Sequence, residues 1–225
     1  MVIICFVAGN NIFAQNKRTY ISLNTGLFVP GNDFIIGGWK TTGYDANGSP
    51  VDVSVNGFGT GGNFSISFHH YFSNIGIRLK SGVVVLRQDI GVALAPNGEM
   101  MSYDNTLNIV PAELSLACKI NLDDSKVVPY FGTGIGIYYG AMETKRMPEN
   151  GQRTWLKDEA FSGGVTCYSG IFIPVYFELL LNLDIGYNVA IGTWELKDQD
   201  DDTITKYEDL NTGGFTFNIG LAFRF

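Results

Sequence analysis

The last twelve residues, GFTFNIGLAFRF, alternate without a fault. Phe215, Phe217, Ile219, Leu221, Phe223 and Phe225 are apolar, while Thr216, Asn218, Gly220, Ala222 and Arg224 between them are small or polar. Successive side chains of a β-strand point to opposite faces, so a period of two writes a sheet with one apolar side. The segment LNLDIGYNVAIG obeys the same rule, with Leu181, Leu183, Ile185, Tyr187, Val189 and Ile191 on one face and Asn182, Asp184, Gly186, Asn188, Ala190 and Gly192 on the other. Composition agrees: 28 of 225 residues are glycine and 13% are aromatic, a pairing that helices tolerate badly and sheets use.

Read at this period, the chain offers eight strands. The first sets Ile21, Leu23, Leu27 and Val29 against Tyr20, Ser22, Asn24 and Gly26; the second sets Phe64, Ile66, Phe68, His70 and Phe72 against Asn63, Ser65, Ser67, His69 and Tyr71. The third opposes Ile77, Leu79, Val83 and Val85 to Arg78, Lys80 and Gly82, and the sixth runs from about Phe161 to Ile173. In the fifth, Phe131, Ile135, Ile137 and Tyr139 face Gly132, Gly134 and Gly136 across the strand, and a face of glycines makes room for long polar side chains from other strands. The fourth, LNIVPAELSLACKI, breaks the scheme, because strict alternation from outward Leu107 and Ile109 brings Glu113 to the apolar face. A β-bulge at Val110 and Pro111 is the expected repair; it turns Leu114, Leu116, Cys118 and Ile120 out and Glu113, Ser115 and Lys119 in.

Connections alternate in length. Long polar ones, about residues 31 to 61, 88 to 105, 142 to 159 and 195 to 210, follow the odd strands; Ser73-Asn74, NLDDSK and the neighbourhood of Pro174 follow the even ones. Each strand has roughly the 9 to 11 residues that cross a bilayer at a tilt. Short turns at the end carrying both termini and long loops at the other define an all-β, eight-stranded antiparallel up-and-down transmembrane β-barrel, with periplasmic turns and extracellular loops. The 16% of charged residues, against roughly 25% in soluble domains, fits a surface solvated by lipid.

The net charge of −7 excludes nucleic acid as a partner, since no basic cluster is present. Seven acids and two bases between Glu195 and Asp209 carry most of that charge. Asp198, Asp200 and Asp202 alternate there as calcium ligands do, without the glycine an EF-hand loop requires; a solvated loop among lipopolysaccharide phosphates is the plainer reading. At the other end, VIICFVA followed by GNNIFAQN reads as the tail of a secretory signal peptide, residues 1–15, cleaved after Ala14 or Gln15 to leave a barrel over 16–225.

The strands PYFGTGIGIYYG and LNIVPAELSL and the closing FTFNIGLAFRF resemble the small outer-membrane β-barrel family of the OmpA-like, OmpW-like and PorT-like kind. The resemblance covers nearly the whole mature chain. It implies residence in the outer membrane of a Gram-negative bacterium, lipid and lipopolysaccharide as surroundings, and no cofactor. It also implies an aromatic terminus, here Phe223 and Phe225, read by the barrel-assembly machinery. OmpA-like relatives are structural or adhesive and PorT-like ones serve secretion, so the role stays open among these. A monomer is expected.

Once the strands are placed, the inner face holds a cluster of ions: Lys80, Glu113 and Asp184 at one level, Arg78 slightly lower, and Lys119 and Arg224 near the base, partly hydrated at the rim. Paired charges in so narrow a lumen act as a structural plug or as a narrow pathway for ions or small solutes, and the plug is the simpler reading. Catalysis is not expected. His69 and His70 point to opposite faces and cannot share a metal, and the serine considered beside His70, Ser73, lies in a turn, whereas lipid-A deacylases on similar barrels place a His and a Ser two apart on one strand. Cys118 and Cys167 face lipid on strands that are not neighbours, beyond disulfide reach. Trp39, Tyr44, Trp155 and Tyr168 fit either an outer aromatic girdle or a ligand-contacting rim. A soluble lipocalin-like barrel is the competing fold, but it would expose the glycine face with few charges, a poor solution for solubility.

Overall fold

In the computed structural model the described residues are 18–31, 40–44, 50–54, 59–94, 100–122, 126–148, 154–197, 204–211 and 213–225. Residues 1–15, expected to be a signal peptide, Trp39 and the Asp198, Asp200 and Asp202 loop lie outside them.

The alternating segments are strands. In chain order they are β1 (Arg18–Pro30), β2 (Lys40–Tyr44), β3 (Pro50–Ser54), β4 (Gly61–Tyr71), β5 (Ile75–Leu94), β6 (Met100–Lys119), β7 (Val128–Pro148), β8 (Thr154–Tyr176), β9 (Leu179–Lys197), β10 (Ile204–Asn211) and β11 (Gly214–Arg224). Eight of them, β11, β1, β4, β5, β6, β7, β8 and β9, pair with their neighbours, and the β8–β9 and β11–β9 pairings close the ring. Every pairing is antiparallel. Closure satisfies the backbone without an edge, which is what hydrocarbon demands of a sheet.

Burial follows the predicted phase. Leu23, Phe64, Leu116, Ile135 and Phe217 are exposed on the outside, while Ser22, Asn24, Ser65, Ser67 and Asn218 are buried inside. Outward hydroxyls are tied back to the chain: Thr133 Oγ1 donates to the Thr166 carbonyl at 3.0 Å and Ser169 Oγ to that of Tyr130 at 3.3 Å. On β11 the apolar row runs from Phe215 to Phe225; at about 3.4 Å per residue and a tilt of about 40° it is about 26 Å tall, the height of a bilayer's apolar band. Ring pairs sit at both ends of that band, Tyr139–Phe161 and Tyr187–Phe215 above, Tyr176–Phe177 and Phe223–Phe225 below.

Three expectations are corrected. There is no bulge at Val110 and Pro111. The β6–β7 register runs unshifted from Met101 to Lys119, and the β5–β6 register keeps its phase from Ser81↔Ala112 to Val84↔Ile109. The β5–β6 ladder merely lacks pairs at Pro111, which has no N–H to donate. Glu113 still faces in because Leu107 and Ile109 do as well, both buried. Second, much of the long connections after β5, β7 and β9 is strand: β5 reaches Leu94, β7 Pro148 and β9 Lys197, with β10 returning along β9. Third, the turn expected near Pro174 lies at Phe177-Glu178. Pro174 is absorbed in β8 beside a register shift, a place where proline is tolerated. Phe177 takes a φ of 44°, a left-handed conformation that costs an L-residue about 1–2 kcal/mol.

Candidate functional site: the lumen

The inner wall is layered. In its middle, Asp184 on β9 accepts hydrogen bonds from three strands: Arg78 Nη2 of β5 at 3.0 Å, Asn218 Nδ2 of β11 at 2.9 Å and Tyr130 OH of β7 at 3.2 Å. In a ring of eight, β5 and β9 stand opposite each other, so the Arg78–Asp184 ion pair spans the lumen. Both side chains are 1% exposed. The Arg78 guanidinium also lies 4.0 Å over the Tyr168 ring. A planar, weakly hydrated cation suits a site that gives it a carboxylate on one side and a π-face on another.

From this hub a hydrogen-bonded network runs round the wall. Asn63 Nδ2 donates to Asn218 Oδ1 at 2.7 Å; Tyr130 OH donates to Asn182 Oδ1 and Asn182 Nδ2 to Asn24 Oδ1, both at 2.8 Å. Asn24 Nδ2 continues to Ser22 Oγ, which meets Ser67 Oγ at 2.6 Å, and Ser67 meets His69 Nε2 at 3.3 Å. Beside the hub, Lys80 and Glu113 are cross-strand partners, both buried, and Glu113 accepts from Tyr138 OH at 3.2 Å. Buried polar groups left without partners are costly, and the network supplies partners for most of this layer.

Towards the termini the lumen is floored by rings. Phe172 stacks on Tyr20 and on Tyr130, each with centroids 4.6 Å apart, and His69 packs its edge on Phe172 and Tyr130. Towards the long connections Phe28, Val84, Leu86, Leu107, Ile109 and Met142 close over the polar layer as an apolar cluster. An eight-stranded barrel is just wide enough for its side chains to fill, and among the described residues they fill it with apolar, polar and aromatic layers in turn.

The glycine face has a more local purpose than expected. Gly132 pairs with Tyr168 and Gly170 with Tyr130; a Cβ added at Gly132 would meet the Leu116 carbonyl oxygen and the Tyr168 ring, and one added at Gly170 the Tyr130 ring and the Leu183 carbonyl oxygen. The room serves rings of the adjacent strand lying flat on glycine, a device that also keeps the ladder covered.

Of the predicted ion cluster, Arg78, Lys80, Glu113 and Asp184 share the polar layer, and Arg78 rather than Lys80 reaches Asp184. Lys119 is buried, its ammonium 5.5 Å over the Tyr71 ring. Arg224 pairs at the rim with Glu178, a partner the sequence reading did not name. Phe223 and Phe225 face outward. Tyr168 belongs to the lumen and so to no outer girdle, while the side chains of Tyr44 and Trp155 lie outside the described residues. Cys118 and Cys167 form no disulfide and lie on strands separated by β7. His70 bonds Thr19 Oγ1 at 2.9 Å on the outer side. Ser67 lies two residues before His69 on the same face, and that pair is sealed within the wall, both residues fully buried. Also missed were the tyrosine floor, the asparagines and the apolar upper layer. Their signal was present in the inward phase of each strand, where alternation alone does not say which inner residues meet.

Known structures share the architecture. The chain is similar to the outer membrane protein OprG from Pseudomonas aeruginosa, at 12% identity and a TM-score of 0.60 over 94% of this chain and 97% of that one. It is also similar to a major outer membrane protein from Thermus thermophilus, at 14% identity and a TM-score of 0.57 over 94% of this chain and 100% of that one. No family model and no curated protein matches the chain. A closed eight-stranded antiparallel barrel with an apolar outer wall and a polar inner layer is the fold of the small bacterial outer-membrane proteins, and this chain has that fold.

Proposed function

We propose that this outer-membrane barrel has a closed lumen and acts through its outer surfaces, in a structural, adhesive or secretion-accessory role, without catalysing a reaction. The observation that carries the reading is the layering of the lumen. An ion pair across the diameter is capped above by Phe28, Leu86, Leu107 and Ile109 and below by Tyr20, Tyr130 and Phe172. A path for ions would have to cross both a desolvated apolar layer and a matched salt bridge, each of which opposes a hydrated ion. A buried Ser67–His69 pair beneath packed rings offers no approach for a substrate. Lipid and lipopolysaccharide are its surroundings in this reading, the barrel-assembly machinery inserts it through Phe223 and Phe225, and it works as a monomer.

Deletion of the chain from its host tests the division of roles. A structural role predicts sensitivity to detergents and bile salts, an adhesive role loss of surface attachment, and a secretion role retention of exported proteins in the periplasm. Unchanged envelope, attachment and secretion together with slowed uptake of a small solute would contradict the closed-lumen reading and favour a pore.

A further inference from the structure

The chain has two histidines, and histidine is the side chain whose charge ordinarily changes between about pH 5 and 8. His70 lies on the outer side, bonded to Thr19. His69 lies in the floor of the lumen and is fully buried. Both its ring nitrogens face hydroxyls: Ser67 Oγ lies 3.3 Å from Nε2 and Tyr71 OH 3.4 Å from Nδ1. Its ring meets Tyr130 and Phe172 steeply, with centroids 5.1 and 5.4 Å away, and stacks with Tyr71 at 6.1 Å. The imidazole therefore joins β4 to β7 and β8, and through Ser67 and Ser22 to β1.

A hydroxyl gives or takes a hydrogen bond as required, so this slot suits a neutral imidazole, which needs one donor and one acceptor. The charges around it do not suit an imidazolium. On β5, Arg78 is the cross-strand partner of His69, and Lys80 stands at the next place along the same inner face; on β6, Lys119 lies over the Tyr71 ring. On β9, Asp184 is already shared by Arg78, Asn218 and Tyr130. Glu113 of β6 stands opposite Lys80 and accepts from Tyr138. From β1 and β8 come only rings, those of Tyr20, Tyr168 and Phe172. A proton on His69 thus sets a second cation beside Arg78, and among the described residues the carboxylates of this layer are already engaged. The faces of Phe172 and Tyr130 return part of the cost as cation–π attraction, which is weaker than repulsion between like charges in a low-dielectric wall.

We propose that His69 is an acid-sensitive latch on the floor of the lumen. In its neutral form it holds the rings of Tyr71, Tyr130 and Phe172 together. On taking up a proton it leaves the slot beside Arg78 and the floor loosens, while the apolar layer above the ion pair stays shut. The unfolded chain takes up this proton below about pH 6.5, and the folded floor takes it up only by opening. The latch therefore stabilises the barrel above that pH, and its contribution is lost as the pH falls further. The inference rests on the closed-lumen reading and adds to it a regulated periplasmic end.

The test uses the full barrel refolded into phosphatidylcholine vesicles, with folding verified by heat-modifiable gel migration. Urea titrations at about pH 7.5 and about pH 5.5 give the folded-to-unfolded ratio. In the unaltered protein that ratio is expected to fall about tenfold at the lower pH, as for one histidine that binds its proton only in the unfolded chain. His69→Gln is expected to remove most of the drop and His70→Gln to keep it. Equal ratios at the two pH values, or a drop that survives in H69Q, would overturn the proposal. Imidazole NMR of the unaltered protein is a second readout that does not depend on H69Q folding. His69 is expected to take up its proton in step with shifts of the Tyr71 and Tyr130 ring signals, and an imidazolium formed while those signals stay in place would overturn the latch. Planar-bilayer conductance separates its failure from a larger one: steady current at the higher pH would reject the closed lumen itself, whereas a silent bilayer with stability independent of pH rejects the latch alone.

Discussion

Asp184 ties three strands together across the lumen, because its two oxygens receive donors from β5, β7 and β11. Asp184→Ala leaves the Arg78 guanidinium buried without its carboxylate, and removal of one partner of a buried pair costs roughly 3–5 kcal/mol. Urea titration of the refolded barrel measures this, and Arg78→Met with Asp184→Leu in one chain is expected to recover most of the loss, because replacing the whole pair removes the orphaned charge. A single-site loss below about 1 kcal/mol, the ceiling of an exposed pair, would show that water reaches the site. At Gly170 the added Cβ of alanine meets the Tyr130 ring, so Gly170→Ala is expected to lower stability by about 1–3 kcal/mol through overpacking. The same titration checks it, and an unchanged midpoint would mean that both the Tyr130 ring and the Leu183 carbonyl beside Gly170 give way. The inward direction of these residues was legible from alternation. Their partnership was not: Asn218 lies 34 residues from Asp184, Tyr130 54 and Arg78 106, and only closure of the ring brings them together.

At the scale of the strand, β6 shows where pattern reading fails and why. Alternation reports two faces without saying which apolar residues meet lipid. Because the upper lumen is itself apolar, Leu107 and Ile109 looked like lipid-facing residues and a bulge was needed to bring Glu113 inside. With an apolar inner layer no bulge is required. The two registers predict opposite labelling. In a background with Cys118 and Cys167 replaced by serine, a membrane-soluble maleimide is expected to label Val110→Cys and to spare Leu107→Cys, since Val110 is exposed on the wall and Leu107 fully buried. Labelling at 107 and protection at 110 would restore the bulge. Charge on the outer face gives a second check. Leu116→Arg places a cation against hydrocarbon, at a cost of up to about 2–4 kcal/mol near the midplane, read as a lowered unfolding midpoint from vesicles. The turn at Phe177-Glu178 is not legible for a related reason: proline signals the end of a strand, whereas β8 absorbs Pro174 at a register shift and continues to Tyr176.

For the whole molecule, the strand number, antiparallel order and outward apolar face were legible, because each follows from a local period and from the alternation of short and long connections. The extent of the strands beyond the membrane was less so; polar composition marked residues 88 to 105 and 142 to 159 as loop, yet most of them pair as ribbon. Layering of the lumen was half legible. The ions were found, while the apolar and aromatic layers that enclose them depend on which inward residues share a height, and tilt and stagger set that. In the proposed closed-lumen reading, those two layers turn a cluster of charges from a filter into a seal. Planar-bilayer conductance of the refolded, heat-modifiable barrel tests it most directly. A silent bilayer is expected, with Leu107→Gly and Phe172→Gly together opening measurable current by removing a side chain from each apolar layer. Steady, large openings from the unaltered protein would contradict it.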